Sequence, residues 1–482
     1  MAQKSAENLN LGILNVWVRV KSHPIGVIIV AIALLFFASS SIRHALFQSS
    51  AWDLAIFDQA VYLISQNQTP ISSLLGFHIL GDHAAFVLYP LALLYKIYPD
   101  VRWLLAVQAL ALALGALPTW YLSLEAGLKR SQALAMAAVY LLYPLAFNIN
   151  LFDFHPEVLA LPAILAAVLA ARLGAVGWFC VWIILVLSCK AVLALTVAAM
   201  GLWLLVLEKR RLCGAIALFS GIAWFIIATG VIIPFFGGEL ATIGRHLSRY
   251  QHLGNSFSEI VKNLLLQPGL LIKSIFSLAN LEYLVLLFAP LIWGIYPQHL
   301  TPLVGAIPPL AMNLLADDLT QKNLVHQYSL PVLPFLLLAV ISSLAAGRGW
   351  LRSRGIIIWS LVAFLALAKY GYFGSIYLNS LDTWKATRVA IAQIQTSGGV
   401  LTTHNIAPHL AHRSLIKFTN ADSPPTDLNQ FEYILLNLRH PGWKSSREFA
   451  ENLLIKLQNH PDFKLKFQQE EVYLFIQTNR YY

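Results

Sequence analysis

Long apolar runs separated by short polar breaks dominate the chain up to about residue 380. A helix needs about 20 apolar residues, within a range of about 17–25, to cross the hydrocarbon of a bilayer. The runs at 24–42, 104–124, 132–150, 157–173, 214–236, 280–296, 299–316, 328–346 and 355–374 meet that length. The stretch 175–207 is too long for one span, and the polar break at Ser188 and Lys190 predicts two short helices there. The pattern thus predicts about eleven spans.

From about Asp382 the pattern changes. Val400–Thr403, Tyr433–Asn437 and Val472–Gln477 read as strands, while 384–396 and 446–459 have helical periodicity. The predicted fold class is mainly α: a polytopic helical membrane domain over 1–380, followed by a small α/β domain over 381–482 with a partly parallel sheet.

Charge sets the expected orientation. The basic groups beside the runs are Arg19/Lys21, Lys129/Arg130, Arg172, Lys209/Arg210/Arg211 and Arg348/Arg352/Arg354. With a cytoplasmic N-terminus all of them fall on the cytoplasmic side of a plasma (inner) membrane, as topology requires. The first run follows Lys21 and His23 without a small-residue cleavage site and reads as a retained signal anchor. The same parity makes the C-terminal domain extracytoplasmic. It also requires that 84–99, with Pro90, Lys96 and Pro99, lie at the interface and not cross. The outer segments 43–103 and 237–279 are too long for simple loops and predict interfacial helices.

Composition agrees with a membrane protein. Of 482 residues 58% are hydrophobic and 12% charged, against roughly 25% charged in soluble chains. The net charge of +10 is accounted for by the inter-helix loops, so no nucleic-acid partner is expected. Cys180, Cys189 and Cys213 sit in or beside apolar runs without metal-ligand spacing. Nothing indicates a cofactor; whether a divalent metal is used stays open.

The polar residues on the expected outer side carry the candidate chemistry. Asp53 and Asp58 flank an apolar tetrapeptide. Positions five apart on a helix lie about 140° apart, so Asp53 suits an N-cap and Asp58 a later turn. Capping and solvation are the bland reading of this pair; catalysis is the sharp one. Asp82-His83 precedes an apolar run, where Asp82 either caps a helix or works with the imidazole. Asp153-Phe154-His155-Pro156-Glu157 crowds three ionisable groups at a membrane boundary, which is costly without a function. Lys190 either snorkels or faces a phosphate. Arg245 and Arg249 supply further cations, and His326 with Tyr328 opens a later span as anchor or as sugar contact.

The run from Asp53-Leu54-Ala55-Ile56-Phe57-Asp58-Gln59, through Gly81-Asp82-His83, the 108–118 segment and Phe154-His155-Pro156-Glu157, to His326-Gln327-Tyr328-Ser329-Leu330-Pro331 resembles a bacterial multi-pass family. That family is catalogued as domain of unknown function 2079 and looks related to the GT-C superfamily of membrane glycosyltransferases. The resemblance implies a GT-C-like fold, a polyprenyl-phosphate-linked sugar donor and Asp53 or Asp58 as general base on an acceptor hydroxyl. Lys190, Arg245 or Arg249 would then neutralise the lipid phosphate, and Asp82, His83, His155, Glu157, His326 and Tyr328 would line the substrate site. Members of that family usually follow the lysine with an acidic pair, whereas here Ala191 and Val192 follow Lys190. Two other readings stand beside this one: a transporter or flippase, and an inactive GT-C-like scaffold favoured by the missing acidic pair. The sugar, the lipid carrier and the acceptor are not specified by the sequence.

Overall fold

A computed structural model describes residues 24–238 and 247–478. Helices stand where the apolar runs predict them. Among the described residues four are long and apolar enough to cross a membrane: Ile25–Ala45, Arg102–Glu125, Arg130–Leu151 and Arg211–Gly237. Counting each bent pair as one span raises this to six: Pro268–Ile275 with Leu278–Gly294, bent by 53°, and Ser353–Leu367 with Lys369–Leu378, bent by 42°. The other apolar helices, such as Val176–Cys189, Leu193–Val206 and Leu333–Ala345, are shorter. Length and composition thus support four to six spans among the described residues, and the expected eleven is not confirmed by them. Local breaks shorten the helices. Residues 289–294 and 301–306 tighten to 3-10 turns, each with proline near its start.

Two of these helices approach closely because small residues line their seam. A Cβ on Gly201 would lie 2.3 Å from the Leu218 nitrogen, and one on Gly214 would lie 2.5 Å from the Leu205 nitrogen. Leu193–Val206 and Arg211–Ile227 thus pack backbone against backbone.

The segment expected at the interface contains the helix Leu88–Ile97, ten residues long. At about 1.5 Å per residue it reaches about 15 Å, half of a hydrocarbon core of about 30 Å. One face buries Leu88, Leu91 and Tyr95, while Leu93 and Ile97 are exposed. Before it, a short antiparallel ribbon pairs β1 (Ile71–Ser72) with β2 (Phe77–His78).

The C-terminal sheet contains β3 (Val400–Thr402), β4 (Ile416–Phe418), β5 (Tyr433–Asn437), β6 (Phe463–Gln469) and β7 (Val472–Gln477) in the order β4-β3-β5-β7-β6. β3 runs parallel to β4 and β5, and the other pairs are antiparallel. β4 and β6 are additions to the strands predicted from sequence. β4 has only three residues, and β6 is an edge strand whose alternate lysines face solvent, so neither has a strong apolar signature.

Strand alternation decides how this sheet is used. Tyr433 and Leu435 of β5 join the large core that continues through the membrane helices. Ile434 and Leu436 face a separate core with Leu453 and Leu457 of the helix Arg447–Gln458. One face of the sheet is thereby sealed against the helical body. The segment that follows β3 is laid directly over the loop that holds Asp53 and Asp58.

Candidate functional site

Asp53 sits in a π-helical turn, Ala51–Ala55, that runs into the helix Ile56–Ser65. Such turns are rare and strained and recur at functional sites. Ser50 starts it: its hydroxyl accepts from the Trp52 amide at 3.1 Å. The Asp53 carboxylate keeps 24% of its side chain exposed and lies 3.3 Å from His155 Nε2. Burial alone would raise the Asp53 carboxyl. The His155 hydrogen bond and charge, aided by the Ser50 hydroxyl, outweigh it and hold the group below the usual carboxylate range.

His155 is positioned by a loop whose geometry depends on Asp153. Asp153 adopts φ +86°, a left-handed conformation unusual outside glycine. Two interactions hold it there. Arg43 donates to its Oδ1 at 2.5 Å and the Ser50 amide to its Oδ2 at 2.8 Å. The loop of His155 is thus tied to the cap of the turn that carries Asp53. Phe152 stacks on the His155 ring at 5.3 Å, and His326 meets the Phe152 edge at 4.3 Å. Asp53, His155 and His326, far apart in sequence, are therefore one cluster. His326 also lies 2.9 Å from Asn323 Oδ1 through its Nδ1, and burial lowers its basicity despite the nearby Asp53 charge.

Asp58 stands apart from this cluster. It has no exposed surface, the Tyr95 hydroxyl donates to its Oδ1 at 2.6 Å, and His412 Nε2 lies 3.0 Å from the same oxygen. His412 stacks on Tyr62 with the rings 2° from parallel. Of the two carboxylates expected as alternatives for the general base, only Asp53 presents a surface to a substrate. The enclosure of Asp58 arises because residues 410–413 of the C-terminal part close over it.

The remaining expected residues form two further groups. Lys190, extended between two helices, is ion-paired to Glu157, and both are buried. Next to it the Ala191 amide donates to the His83 carbonyl at 2.9 Å, and Val87 donates to the Ser188 carbonyl at 3.0 Å. The break in the 175–207 stretch is thus stitched to the turn Leu80–His83, where Asp82 lies 3.3 Å from His83 Nε2. Arg249 donates to the Tyr328 hydroxyl at 3.0 Å and lies 3.5 Å from Asp318. Arg245 falls outside the described residues. Among the described residues no three His, Cys, Asp or Glu side chains gather as metal ligands would.

Several contributors escaped the sequence reading. Arg43 stands one residue beyond the first apolar run, at the start of the outer segment 43–103, and carries no motif, while Asp153 stands out only as part of a charged cluster. His404, His409 and His412 lie on the segment after β3, which carries no motif. His404 Nε2 is 3.4 Å from the Ser50 hydroxyl, and His409 stacks on His44 with ring centroids 3.9 Å apart. Three histidines so closely spaced in a short loop were the one available signal. A cavity of about 380 Å³ lies beside this segment, bounded by Phe47, Gln48, Thr383, Asn405 and Arg439.

Comparison with known proteins sets this geometry in context. The model of a family described as "Predicted membrane protein (DUF2079)" matches residues 43–474. The crystal structure of ArnT from Cupriavidus metallidurans bound to undecaprenyl phosphate superposes with a TM-score of 0.54 at 13% identity, covering 94% of this chain and 98% of that one. The apo state of the same ArnT superposes with a TM-score of 0.45 at 13% identity, covering 93% and 97%. No curated protein matches the sequence. The likeness to ArnT is one of fold and extends over most of both chains.

Proposed function

We propose that this chain, which belongs to the DUF2079 family of predicted membrane proteins, transfers a sugar from a polyprenyl-phosphate-linked donor to an acceptor hydroxyl. The observation that carries the reading is the partly exposed Asp53 carboxylate beside His155, set on an ArnT-like fold. The donor class follows from the undecaprenyl phosphate bound to ArnT in the similar structure.

In this reading the acceptor oxygen attacks the anomeric carbon of the donor sugar from the face opposite the phosphate. The new C–O bond forms as the bond from carbon to phosphate oxygen breaks. The electron pair leaves with the polyprenyl phosphate, and the configuration inverts. The hydroxyl proton passes to Asp53 Oδ. His155 holds that carboxylate in place and shares its charge. His326 and Phe152 support the imidazole from behind. Lys190 or Arg249 meets the charge on the departing phosphate. In the structure both cations are already engaged by carboxylates, so a lipid phosphate must compete with Glu157 or Asp318 for them.

The test is sugar release from polyprenyl-phosphate donors by the purified full chain. Asp53→Asn is expected to reduce turnover roughly 10²–10⁴-fold, the usual contribution of a general base, while leaving donor binding intact. Full activity in Asp53→Asn removes the assignment of the base. Absence of turnover with every donor, together with tight binding of a partner protein, favours the scaffold reading.

A further inference from the structure

The C-terminal sheet carries a helix on each face, and the two helices differ in charge. Arg447–Gln458 packs on the face turned away from the helical body. Its polar residues have both signs: Arg447, Glu448, Glu451 and Lys456, with Arg447 paired to Glu451 at 2.7 Å. Mixed, paired charge of this kind is the usual dress of a helix that faces water. Leu381–Ala392 packs on the other face, with Ala386 and Ala390 in the core shared with the membrane helices. Thr383 holds it to the sheet, its hydroxyl accepting from Asn437 at 2.9 Å. At about 100° per residue, Leu381, Trp384, Lys385, Arg388 and Val389 fall within an arc of about 140° on the side away from that core. Lys385 and Arg388 are exposed, and beside them Leu381 is 47% and Val389 40% exposed.

The cations on this stripe are not neutralised within the chain. The only acid of the helix, Asp382, is engaged by Arg439 at 3.4 Å and by His440 at 2.7 Å. Among the described residues neither Lys385 nor Arg388 forms an ion pair. The Arg388 guanidinium lies over the Trp384 ring, 4.6 Å from its centroid, which orients the group without cancelling its charge. Lys466 of β6 adds a third cation at the far end of the helix, where its Nζ donates to the Gln393 carbonyl at 3.1 Å.

The place of the stripe chooses its occupant. It starts where two candidate spans end. Trp384 Nε1 donates at 2.8 Å to the carbonyl of Ala45, the last residue of the span Ile25–Ala45. The helix itself begins just after the bent pair Ser353–Leu367 with Lys369–Leu378. Exposed apolar residues continue from these spans into the helix: Ile42 on the first, Ile376 and Leu378 on the second, then Leu381. A tryptophan at a span end is a usual interfacial anchor, and cations beside apolar residues on a helix at that depth attract anionic head groups. We infer that the outer stripe of Leu381–Ala392, extended by Lys466, is a docking surface for anionic phospholipids, those whose phosphate carries no compensating ammonium. Lys385 and Arg388 donate to the phosphate oxygens, while Leu381 and Val389 meet the start of the acyl chains. The sheet domain is thereby fixed at the membrane surface on the side opposite its mixed-charge helix. The inference does not depend on the transferase reading.

Amide hydrogen exchange of the full chain in nanodiscs reads the contact locally. The discs are made of dioleoylphosphatidylglycerol or of dioleoylphosphatidylcholine. Amides of residues 381–392 should exchange about tenfold or more slowly in phosphatidylglycerol than in phosphatidylcholine, since each basic side chain at an anionic surface contributes about a factor of five. Amides of 447–458 should exchange alike in both. Lys385→Gln combined with Arg388→Gln should abolish the difference between the lipids. Both positions are exposed, so the double variant should unfold at the wild-type temperature in phosphatidylcholine, and the wild-type comparison decides the matter even if it does not. Equal exchange of 381–392 in the two lipids reduces the stripe to an apolar contact or a solvated face and overturns the inference. An equal slowing of 447–458 makes the effect a general one of the bilayer and overturns it as well. So does a lipid difference that survives in the double variant.

Discussion

His412 Nε2 lies 3.0 Å from Asp58 Oδ1, joining side chains 354 positions apart. The contact sits at the seam between the C-terminal sheet region and the loop that carries Asp53. Burial would lower the basicity of His412, but the Asp58 charge more than offsets this and holds its pKa above the ordinary histidine value of 6.5. The carboxylate is fully enclosed, so the imidazolium is its main compensation.

Removing that compensation should loosen the seam. His412→Ala leaves Asp58 with the Tyr95 hydroxyl alone and is expected to cost about 2–3 kcal/mol. The folded protein holds the His412 proton more tightly than the unfolded chain does. The contribution is therefore complete below about pH 6.5 and fades as pH rises through the raised value. Thermal unfolding in detergent across pH 5 to 9 measures it: wild type should lose stability over the upper part of that range and His412→Ala should not. Parallel curves would show that the pair does not stabilise the seam.

The acid limb of activity should report Asp53. Because His155 and Ser50 hold its carboxyl below the usual range against the effect of burial, transfer should persist to pH values below the ordinary carboxylate range. In His155→Ala burial remains while the opposing contact is lost, so the limb should move to higher pH. A pH profile of kcat/KM decides the point, and an unmoved limb would mean that another group governs it.

Lys190 and Glu157 form a buried pair, so single substitutions mix stability with function. Lys190→Ala should destabilise by about 3–5 kcal/mol because it strands a buried carboxylate. Lys190→Met with Glu157→Gln removes both charges and should recover most of that loss. If Lys190 also meets the lipid phosphate, the double variant will be stable yet bind donor weakly. Isothermal titration with undecaprenyl phosphate separates the two effects. Wild-type affinity in the double variant would confine Lys190 to a structural role.

The orientation of the chain is open to direct labelling. On the eleven-span reading, parity of the basic loops predicts that the C-terminal sheet lies outside. A cysteine at the exposed Gln430 should react with a membrane-impermeant maleimide added to intact cells. Reaction only after the cytoplasmic face is opened would reverse the topology, and with it the side from which Asp53 is reached.

Much of the molecule was written in periodicity alone. Apolar runs located the helices, and the apolar cores of β3, β5 and β7 were legible because short buried strands announce themselves in β-branched and aromatic residues. Three of the polar positions between the runs, Asp53, His155 and His326, come together in one cluster; ionisable groups beside a membrane are costly and seldom accidental. What the sequence could not state was pairing. Asp53 and Asp58 look alike in the chain, five positions apart in one polar segment. The tertiary structure alone made one a partly open carboxylate against His155 and the other a sealed partner of His412. That difference comes from where the C-terminal sheet docks. Its position is set by burial of one sheet face, a non-local choice no window of sequence contains. The same docking brought His404, Phe418 and Trp443 beside Trp52. Contacts between residues hundreds of positions apart depend on the summed packing of the whole chain, and local pattern carries no record of them.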